Sequence, residues 1–216
     1  NFVNAFQTDS DGLPLFDTFN QNSLTEPEDF QQNTVDPRLD HSVALEGHPF
    51  KYDNDQIYDP NVWARAPATY GPYTSMKGLQ PVGSPSVQQV VFFYASSKNN
   101  NVIRYADVLL WKAEALIELG REDEALPIIN RIRTRAANST VKDADGNNVS
   151  NYQIEPYRDG QNITWTQANA RQALRFERRL ELGMEGWRFF DLVRWGIAAE
   201  TLNEYFATEK QRRDYL

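Results

Sequence analysis

The 216-residue chain contains no cysteine and only two histidines, which restricts the chemistry that it can carry. Without cysteine there is no disulfide, no thiolate zinc site and no cysteine nucleophile. His41 and His48 need a third ligand before they can hold a metal ion. The GxSxG, P-loop and dinucleotide-binding motifs are absent as well. The sequence therefore predicts no catalytic residue, no metal site and no cofactor.

Long apolar runs and excess positive charge are also missing. No stretch approaches the ~18 residues of a transmembrane helix, and the opening NFVNAF has neither the basic nor the apolar part of a signal peptide. The 22 basic and 30 acidic side chains give a formal net charge of -8. An acidic surface disfavours nucleic acid and anionic membrane faces as partners, whereas neutral or cationic ligands remain open.

The chain does contain enough apolar material for a folded core, with 40% hydrophobic and 12% aromatic residues. Residues 1–100 hold most of the prolines and show little periodicity, so we expect aromatic-rich loops with short helices and strands. Residues 101–216 show helical periodicity. The predicted fold class is mainly α: a tetratricopeptide-like helical hairpin packed on further helices, with a loop-rich, irregular N-terminal half.

Four helix-length segments are predicted in the second half, the last of them after Gly186. Apolar residues recur at helical spacing over 102–120 and again over 122–137, with a glycine between them that is typical after a helix end. Because the connection is so short, the two helices must lie antiparallel, and their small residues resemble those of a tetratricopeptide repeat. A third helix is predicted to begin at a threonine cap, Thr164 or Thr166, and to end or bend at the GMEG sequence of 183–186.

Two further segments are less regular. Residues 87–95 alternate apolar side chains in a way that fits a buried strand or a short apolar linker. The polar connector 139–164 contains an Asp/Asn/Gly run that begins at Asp143. Its oxygen-bearing side chains alternate as in a calcium loop, but its glycine and its twelfth residue are not those of an EF-hand, which favours a plain turn.

Glu177, Glu181 and Glu185 form a row along the third predicted helix, beside its apolar stripe. Like charges four residues apart repel by roughly a few tenths of a kcal/mol, so the row requires cations from other segments. Arg188 and Arg194, on the next segment, are predicted to supply some of them. Basic partners lower the pKa of a carboxyl group, whereas the acid catalyst of a glycosidase needs a raised pKa. We therefore interpret the row as a structural network.

Aromatic residues in the loop-rich half form the predicted ligand site. A sugar presents an apolar face and a ring of hydroxyl groups, so it binds to flat aromatic rings with polar side chains nearby. Prolines in the same loops would hold these rings on stiff backbone. The alternative is that the rings pack inward as the core of the irregular half. The predicted ligand-binding residues are Asn61, Trp63, Arg65, Tyr70 and Tyr73.

Three blocks of sequence, in the same order, resemble the SusD/RagB family: DPRLD at 36–40, VIRYADVLLWKAEALIELG at 102–120 and FERRLELGMEGWRFFDLVRWG at 176–196. The resemblance implies an outer-membrane lipoprotein of Bacteroidetes that binds nutrients, most often glycans, and caps a TonB-dependent transporter of the SusC type. It also implies that residues 1–216 are one C-terminal domain of a longer protein, whose N-terminal half carries the signal peptide and the lipid anchor.

Two hypotheses of different classes follow. The first is a non-enzymatic protein on the extracellular face of the outer membrane that binds an oligosaccharide or another nutrient and works with a SusC-like transporter. It would contact the membrane only through the lipid anchor, which is absent from this chain. The second is a helical-repeat scaffold that binds protein without binding glycan and leaves the loop aromatics buried. The exposure of Trp63, Tyr70 and Tyr73 discriminates between them.

Overall fold

Helices dominate the second half of the computed structural model, which describes residues 1–212. In chain order the helices are α1 (Asp29–Gln32), α2 (Arg38–Ser42), α3 (Pro60–Trp63), α4 (Pro67–Tyr70), α5 (Tyr105–Glu118), α6 (Glu122–Ala137), α7 (Gln167–Glu181), α8 (Arg188–Arg194) and α9 (Ala198–Arg212). The strands are β1 (Val43–Ala44), β2 (Pro49–Phe50), β3 (Asp53–Ile57), β4 (Thr74–Ser75), β5 (Val87–Val90) and β6 (Phe93–Ser96). The predicted mainly α fold class is confirmed.

Helices α5 and α6 form the antiparallel hairpin that the apolar periodicity predicts. At the turn, Gly120 has a φ of 71° and donates its backbone N–H to the Ile117 carbonyl at 3.0 Å. Arg121 donates its backbone N–H to the Leu116 carbonyl at 2.9 Å. This pair of bonds ends α5 in the left-handed conformation that glycine adopts most easily. Helix α6 has the predicted bounds, whereas α5 begins slightly later because the residue before it is extended.

Helix α7 joins the two main cores of the protein. Ala170, Ala173 and Leu174 pack with the buried apolar residues of α5 and α6. Phe176 and Leu180 pack instead with buried residues of the N-terminal segment. The helix therefore fastens the loop-rich half to the helical hairpin through two successive parts of one apolar stripe.

Both ends of α7 lie where the sequence predicts them. The Thr166 hydroxyl accepts a hydrogen bond from the backbone N–H of Asn169 at 3.3 Å, which is the cap expected of threonine. The helix ends at Glu181, and Met184 in the GMEG sequence has a φ of 64°. Because the helix stops before Met184, this side chain is exposed and does not extend the apolar stripe.

The first hundred residues contain only short helices and three two-stranded antiparallel sheets: β1 with β4, β2 with β3 and β5 with β6. Short elements are expected where prolines and polar runs interrupt the apolar periodicity. Buried residues such as Phe6, Phe30 and Leu39 nevertheless form a continuous core with α7. The loop-rich half is thus packed onto the helices through apolar contacts.

Residues 87–95 form neither the buried strand nor the linker that their sequence suggested. They lie in an exposed hairpin of β5 and β6, in which Val87 pairs with Ser96 and Val90 pairs with Phe93. Phe92, at the turn, is 90% exposed. The expectation was wrong because apolar alternation indicates a strand but cannot show whether a second layer covers it.

Candidate functional site

The exposed aromatic surface of the loop-rich half begins at helix α3. The Asp59 carboxylate accepts the backbone N–H of Asn61 at 2.8 Å, and Pro60 occupies the first helical position. Both residue types stabilise a helix start, which explains why so short a helix forms here. Trp63, its last residue, is 36% exposed, and its ring makes an edge contact with Phe50 at a centroid distance of 4.9 Å. The indole is therefore anchored while part of it faces solvent.

Tyr70 ends the next short helix, α4, and is 72% exposed. Ala66, which precedes this helix, has a φ of 48°, a conformation that residues with a side chain seldom adopt. Asn61 and Arg65 also expose their side chains. The structure therefore brings four of the five predicted site residues to the surface along one stretch of loop, from Asn61 to Tyr70.

Tyr73, the fifth predicted site residue, is held differently. Its ring is half-buried against the core of the N-terminal segment, and its hydroxyl donates to the Leu24 carbonyl at 2.8 Å. Burial, together with the negative charges of Asp29 and Glu26, raises the pKa of Tyr73 to about 12. This tyrosine fastens the aromatic loop to the body of the protein, and its contact with a ligand stays a prediction.

The carboxylate row of α7 forms a structural network, but its cations are not the expected ones. Glu177 is fully buried between Arg133 of α6 and Arg38 of α2, whose Nη1 lies 2.8 Å from Glu177 Oε2. Within residues 1–212, neither Arg188 nor Arg194 forms an ion pair with the row; Arg194 pairs with acids of α5 and of its own helix. That expectation was wrong because proximity in sequence does not determine which faces of two helices meet.

The pKa values of this network argue against an acid catalyst. Burial raises the pKa of Glu177, but the charges of Arg38 and Arg133 outweigh it, so the pKa lies below its ordinary value. Burial also raises the pKa of Glu185, but hydrogen bonds and charges from Arg104 and Lys77 outweigh it, so this pKa is lowered as well. A general acid must hold a proton near the working pH. These two carboxylates are therefore suited to ion pairing.

A cavity of about 710 Å³ adjoins the end of the carboxylate row. Glu181 and Glu185 form part of its wall, together with Lys51 and Tyr52 from the turn between β2 and β3. The polar segment 98–101, which follows the exposed hairpin, forms another part. The cavity thus joins segments from both halves of the chain.

Comparison with known proteins identifies the family of the chain. A family model described as the SusD family matches residues 1–215. The chain belongs to the SusD family. Two curated SusD-like proteins of Formosa agariphila are similar to it: P38 is 32% identical over 143 residues, and P25 is 33% identical over 109 residues. These alignments cover 62% and 50% of the chain.

Solved structures also resemble this SusD-family chain. A SusD superfamily protein from Bacteroides vulgatus ATCC 8482 matches 81% of the chain at 27% identity, with a TM-score of 0.53. A SusD-like protein from Bacteroides fragilis NCTC 9343 matches 92% of it with a TM-score of 0.55; at 20% identity this is a likeness of fold alone. The chain spans 26% of the length of P38, 17% of P25, and 33% and 36% of the two solved chains.

The three sequence blocks that resemble the SusD family meet in buried ion pairs. The DPRLD block supplies Arg38, whose Nη2 lies 2.6 Å from Asp36 Oδ2. Its Nη1 reaches Glu177 of the third block. The second block supplies Asp107, whose Oδ1 lies 2.8 Å from Nη1 of Arg178, also in the third block. All five side chains are buried, so these ion pairs hold the three blocks together inside the fold.

The sequence reasoning missed the basic wall of the cavity, because Lys51 and Lys98 stand alone in polar segments and carry no motif. His48 Nδ1 lies 2.5 Å from Asp40 Oδ1. His41 lies in the cavity wall. In residues 1–212 no group of three His, Cys, Asp or Glu side chains could hold a metal ion. None of the helices in the same range has the length and apolar character needed to cross a membrane.

Proposed function

We propose that this SusD-family chain is part of a cell-surface protein that binds an oligosaccharide and passes it to a SusC-like TonB-dependent transporter in the outer membrane. Membership of the family supports the role in nutrient binding. The observation that carries the proposal is the exposure of Tyr70 and of Trp63, whose ring is anchored against Phe50. Attachment to the membrane through a lipid anchor is part of the same proposal.

Binding in this proposal rests on stacking and hydrogen bonds, without covalent chemistry. Trp63 is fixed by its edge contact with Phe50, so little rotamer freedom is lost when a sugar ring stacks on its open face. The amide of Asn61 and the guanidinium of Arg65, both exposed nearby in the sequence, supply hydrogen-bond donors for hydroxyl groups. The protein then acts as a binding component and leaves translocation to its partner.

The proposal is tested by calorimetric titration of the protein with a panel of neutral oligosaccharides. Trp63→Ala and Tyr70→Ala are each expected to weaken binding about tenfold, because a stacked aromatic contact contributes roughly 1–1.5 kcal/mol. Tyr105→Ala, which removes an exposed ring on α5, serves as the matched control and keeps the affinity unchanged. Circular dichroism confirms that the variants remain folded.

Two results would overturn the proposal: no oligosaccharide binds, or both loop variants bind as tightly as the unchanged protein. Tyr70→Ala is the more decisive variant, since Tyr70 is 72% exposed and its removal leaves the core intact. Trp63→Ala also removes a contact with Phe50, so its affinity is interpreted only together with its measured stability.

A second candidate function, a scaffold that binds protein alone, is favoured by one observation. Tyr105, Val108 and Trp111 form an exposed apolar ridge along α5 at helical spacing. The scaffold hypothesis expects the loop aromatics to be buried, which does not fit the exposure of Trp63 and Tyr70. If Trp111→Ala abolishes capture of a SusC-like partner while no oligosaccharide gives binding heat, the scaffold replaces the glycan-binding proposal.

A further inference from the structure

The charged side chains that line the cavity beside α7 are mainly basic, although the chain as a whole is acidic. Its wall carries six basic side chains and two carboxylates, in a chain whose net charge is -8. Four of the five basic residues in positions 1–100 lie in this wall. The overall acidity favours neutral or cationic ligands, but the local field inside the cavity favours an anion. The six basic residues are Arg38, Lys51, Lys77, Lys98, Arg104 and Arg135.

Most of these cations already have carboxylate partners. Glu181 lies 3.1 Å from Arg104 and 2.6 Å from Arg135. Glu185 lies 2.7 Å from both Lys77 and Arg104. Arg38 is buried with carboxylates of its own. The uncompensated charge of the cavity therefore resides on its two remaining lysines.

Lys51 and Lys98 are these two uncompensated cations. Within residues 1–212 neither forms an ion pair; the Lys51 ammonium donates a hydrogen bond to the neutral Met76 carbonyl. Burial, and then the positive charge of Lys98, lower the pKa of Lys51. Two like charges that line the same cavity are stabilised by an anion placed between them.

The backbone that presents Lys51 is strained. Lys51 and Tyr52 form the two-residue turn between β2 and β3, with φ values of 55° and 66°. Turns of this kind normally carry Asn-Gly, because residues with larger side chains resist positive φ. Conformations that break a local rule persist where the surrounding structure imposes them, and they cluster at binding sites. The turn places both side chains in the cavity wall.

Neutral donors complete the wall. The Ser42 side chain is fully buried, and its hydroxyl has no hydrogen-bond partner among residues 1–212. His41 Nε2 donates a hydrogen bond to the Ser139 carbonyl at 2.6 Å, and His41 Nδ1 and the Tyr52 hydroxyl lie 2.8 Å apart in a second hydrogen bond. Three consecutive asparagines, 99–101, add amide groups. The cations suit an oxyanion, and the hydroxyl and amide donors suit the hydroxyl oxygens of the molecule that carries it.

We propose that this cavity binds the carboxylate or sulfate group of an acidic oligosaccharide, with Lys51 and Lys98 contacting the charged oxygens and the asparagines 99–101 contacting neighbouring oxygens. The inference rests on the proposed function and specifies its ligand class. The hairpin of β2 and β3 connects the two sites, because Phe50, which contacts Trp63, is followed directly by Lys51. A saccharide stacked on Trp63 lies beside the same hairpin that presents the cation.

The test compares the binding of charged and uncharged forms of the same oligosaccharide. Calorimetry is run with a galacturonic acid tetramer and its methyl ester, and with a sulfated galactan tetramer and its desulfated form. The charged member of at least one pair is expected to bind about tenfold more tightly, the gain typical of one charge-assisted hydrogen bond. The pair that shows this gain identifies carboxylate or sulfate as the natural group.

The variant Lys51→Gln/Lys98→Gln is expected to abolish the preference for the charged member and to leave the affinity for the neutral member unchanged. Glutamine keeps a polar side chain of similar size at the strained turn, and circular dichroism confirms that the variant remains folded. The control Lys112→Gln/Lys142→Gln removes the same charge from exposed positions outside the cavity wall and keeps the preference. Affinity for the charged member also falls as salt is raised.

The outcomes separate the two proposals. Equal binding of charged and neutral members, or a preference that survives in Lys51→Gln/Lys98→Gln, overturns the anion site and leaves oligosaccharide binding at Trp63 standing. A preference for the charged member that is unchanged in Trp63→Ala supports the anion site and counts against stacking on Trp63. If no member of either pair binds, the anion site is overturned, and the panel of neutral oligosaccharides decides separately on stacking at Trp63.

Discussion

Replacing Glu177 with glutamine tests the buried ion pairs that join the first and third family blocks and helix α6. Glu177 is inaccessible to solvent, and so is Arg133, whose Nη1 bonds to Glu177 Oε1. The second carboxylate oxygen faces Arg38 at 2.8 Å, and the Tyr157 hydroxyl donates to Oε1 at 3.0 Å. Glutamine keeps the volume and removes the charge, so two buried guanidinium groups lose the anion between them.

The expected loss of unfolding free energy is about 3 kcal/mol, the lower part of the range for breaking a buried ion pair. The lower part applies because both arginines keep other acceptors. Arg133 donates to the carbonyl groups of Gly12 and Glu155, each at 2.7 Å, and Arg38 keeps Asp36 at 2.6 Å. A loss of this size is a large fraction of the about 5–15 kcal/mol that stabilises a typical domain.

Urea unfolding followed by circular dichroism measures this loss. The matched control is Glu155→Gln, which removes a carboxylate 2.6 Å from Arg158 in a pair that is about half-exposed, with relative side-chain exposures of 48% and 47%. An exposed pair contributes about 0.2–1 kcal/mol, so the control should lose far less than Glu177→Gln. Equal losses in the two variants, or a Glu177→Gln protein as stable as the unchanged one, would refute the reasoning.

The dependence on pH gives an independent check of the same contact. The folded pKa of Glu177 lies below the ordinary value of 4.5. Its ionised form therefore contributes stability that is complete above pH 4.5 and is lost as pH falls through the folded pKa. The stability difference between the unchanged protein and Glu177→Gln should accordingly shrink in acid. A difference that stays constant between neutral and strongly acidic pH would contradict this assignment.

Three further predictions concern a cap, a glycine and a tyrosine. Thr166→Ala should lower the stability in urea by about 1 kcal/mol, because α7 loses its cap; no loss would show that the cap is not needed. Gly12→Ala should lower the free energy of unfolding by about 1–2 kcal/mol because the backbone of Gly12 is left-handed. Steric contact should lower it by about 1–3 kcal/mol more, since the added carbon lies 2.8 Å from the backbone nitrogen of Glu155. Gly47→Ala has a similar φ but no neighbour within 4 Å, so an equal loss there would rule out the contact. The ultraviolet titration difference between the unchanged protein and Tyr73→Phe should have a midpoint at about 12, and a midpoint at the ordinary value of 10.0 would contradict the burial of this ring.

The helices that position the site could be predicted because their signals are local. Apolar spacing predicted α5, α6 and α7, the glycine after α5 predicted its end, and Thr166, one of the two threonines proposed as the cap, begins α7. Residues three or four apart on a helix face the same way whatever surrounds them. The exposed hairpin of β5 and β6 escaped prediction for the opposite reason, since its burial depends on a second layer.

The candidate site was predictable in composition but not in arrangement. Aromatic rings in loops fit either a binding surface or a core, and only the structure distinguishes the exposed Trp63 and Tyr70 from Tyr73, which is half-buried and hydrogen-bonded. The basic cavity had no sequence signal at all. Lys51 and Lys98 approach each other because the strained turn after β2 and the segment after β6 both lie against the end of α7.

By itself the sequence determined the family, the mainly α class, the approximate bounds of α5, α6 and α7 and the need of the α7 carboxylates for cations, because motifs, periodicity and like-charge repulsion act within a few residues of the chain. The tertiary structure decided that Arg38 and Arg133 supply charge to Glu177, which rings face solvent, and that an acidic chain encloses a cationic cavity. These features depend on contacts between residues far apart in sequence, and packing alone brings such residues together.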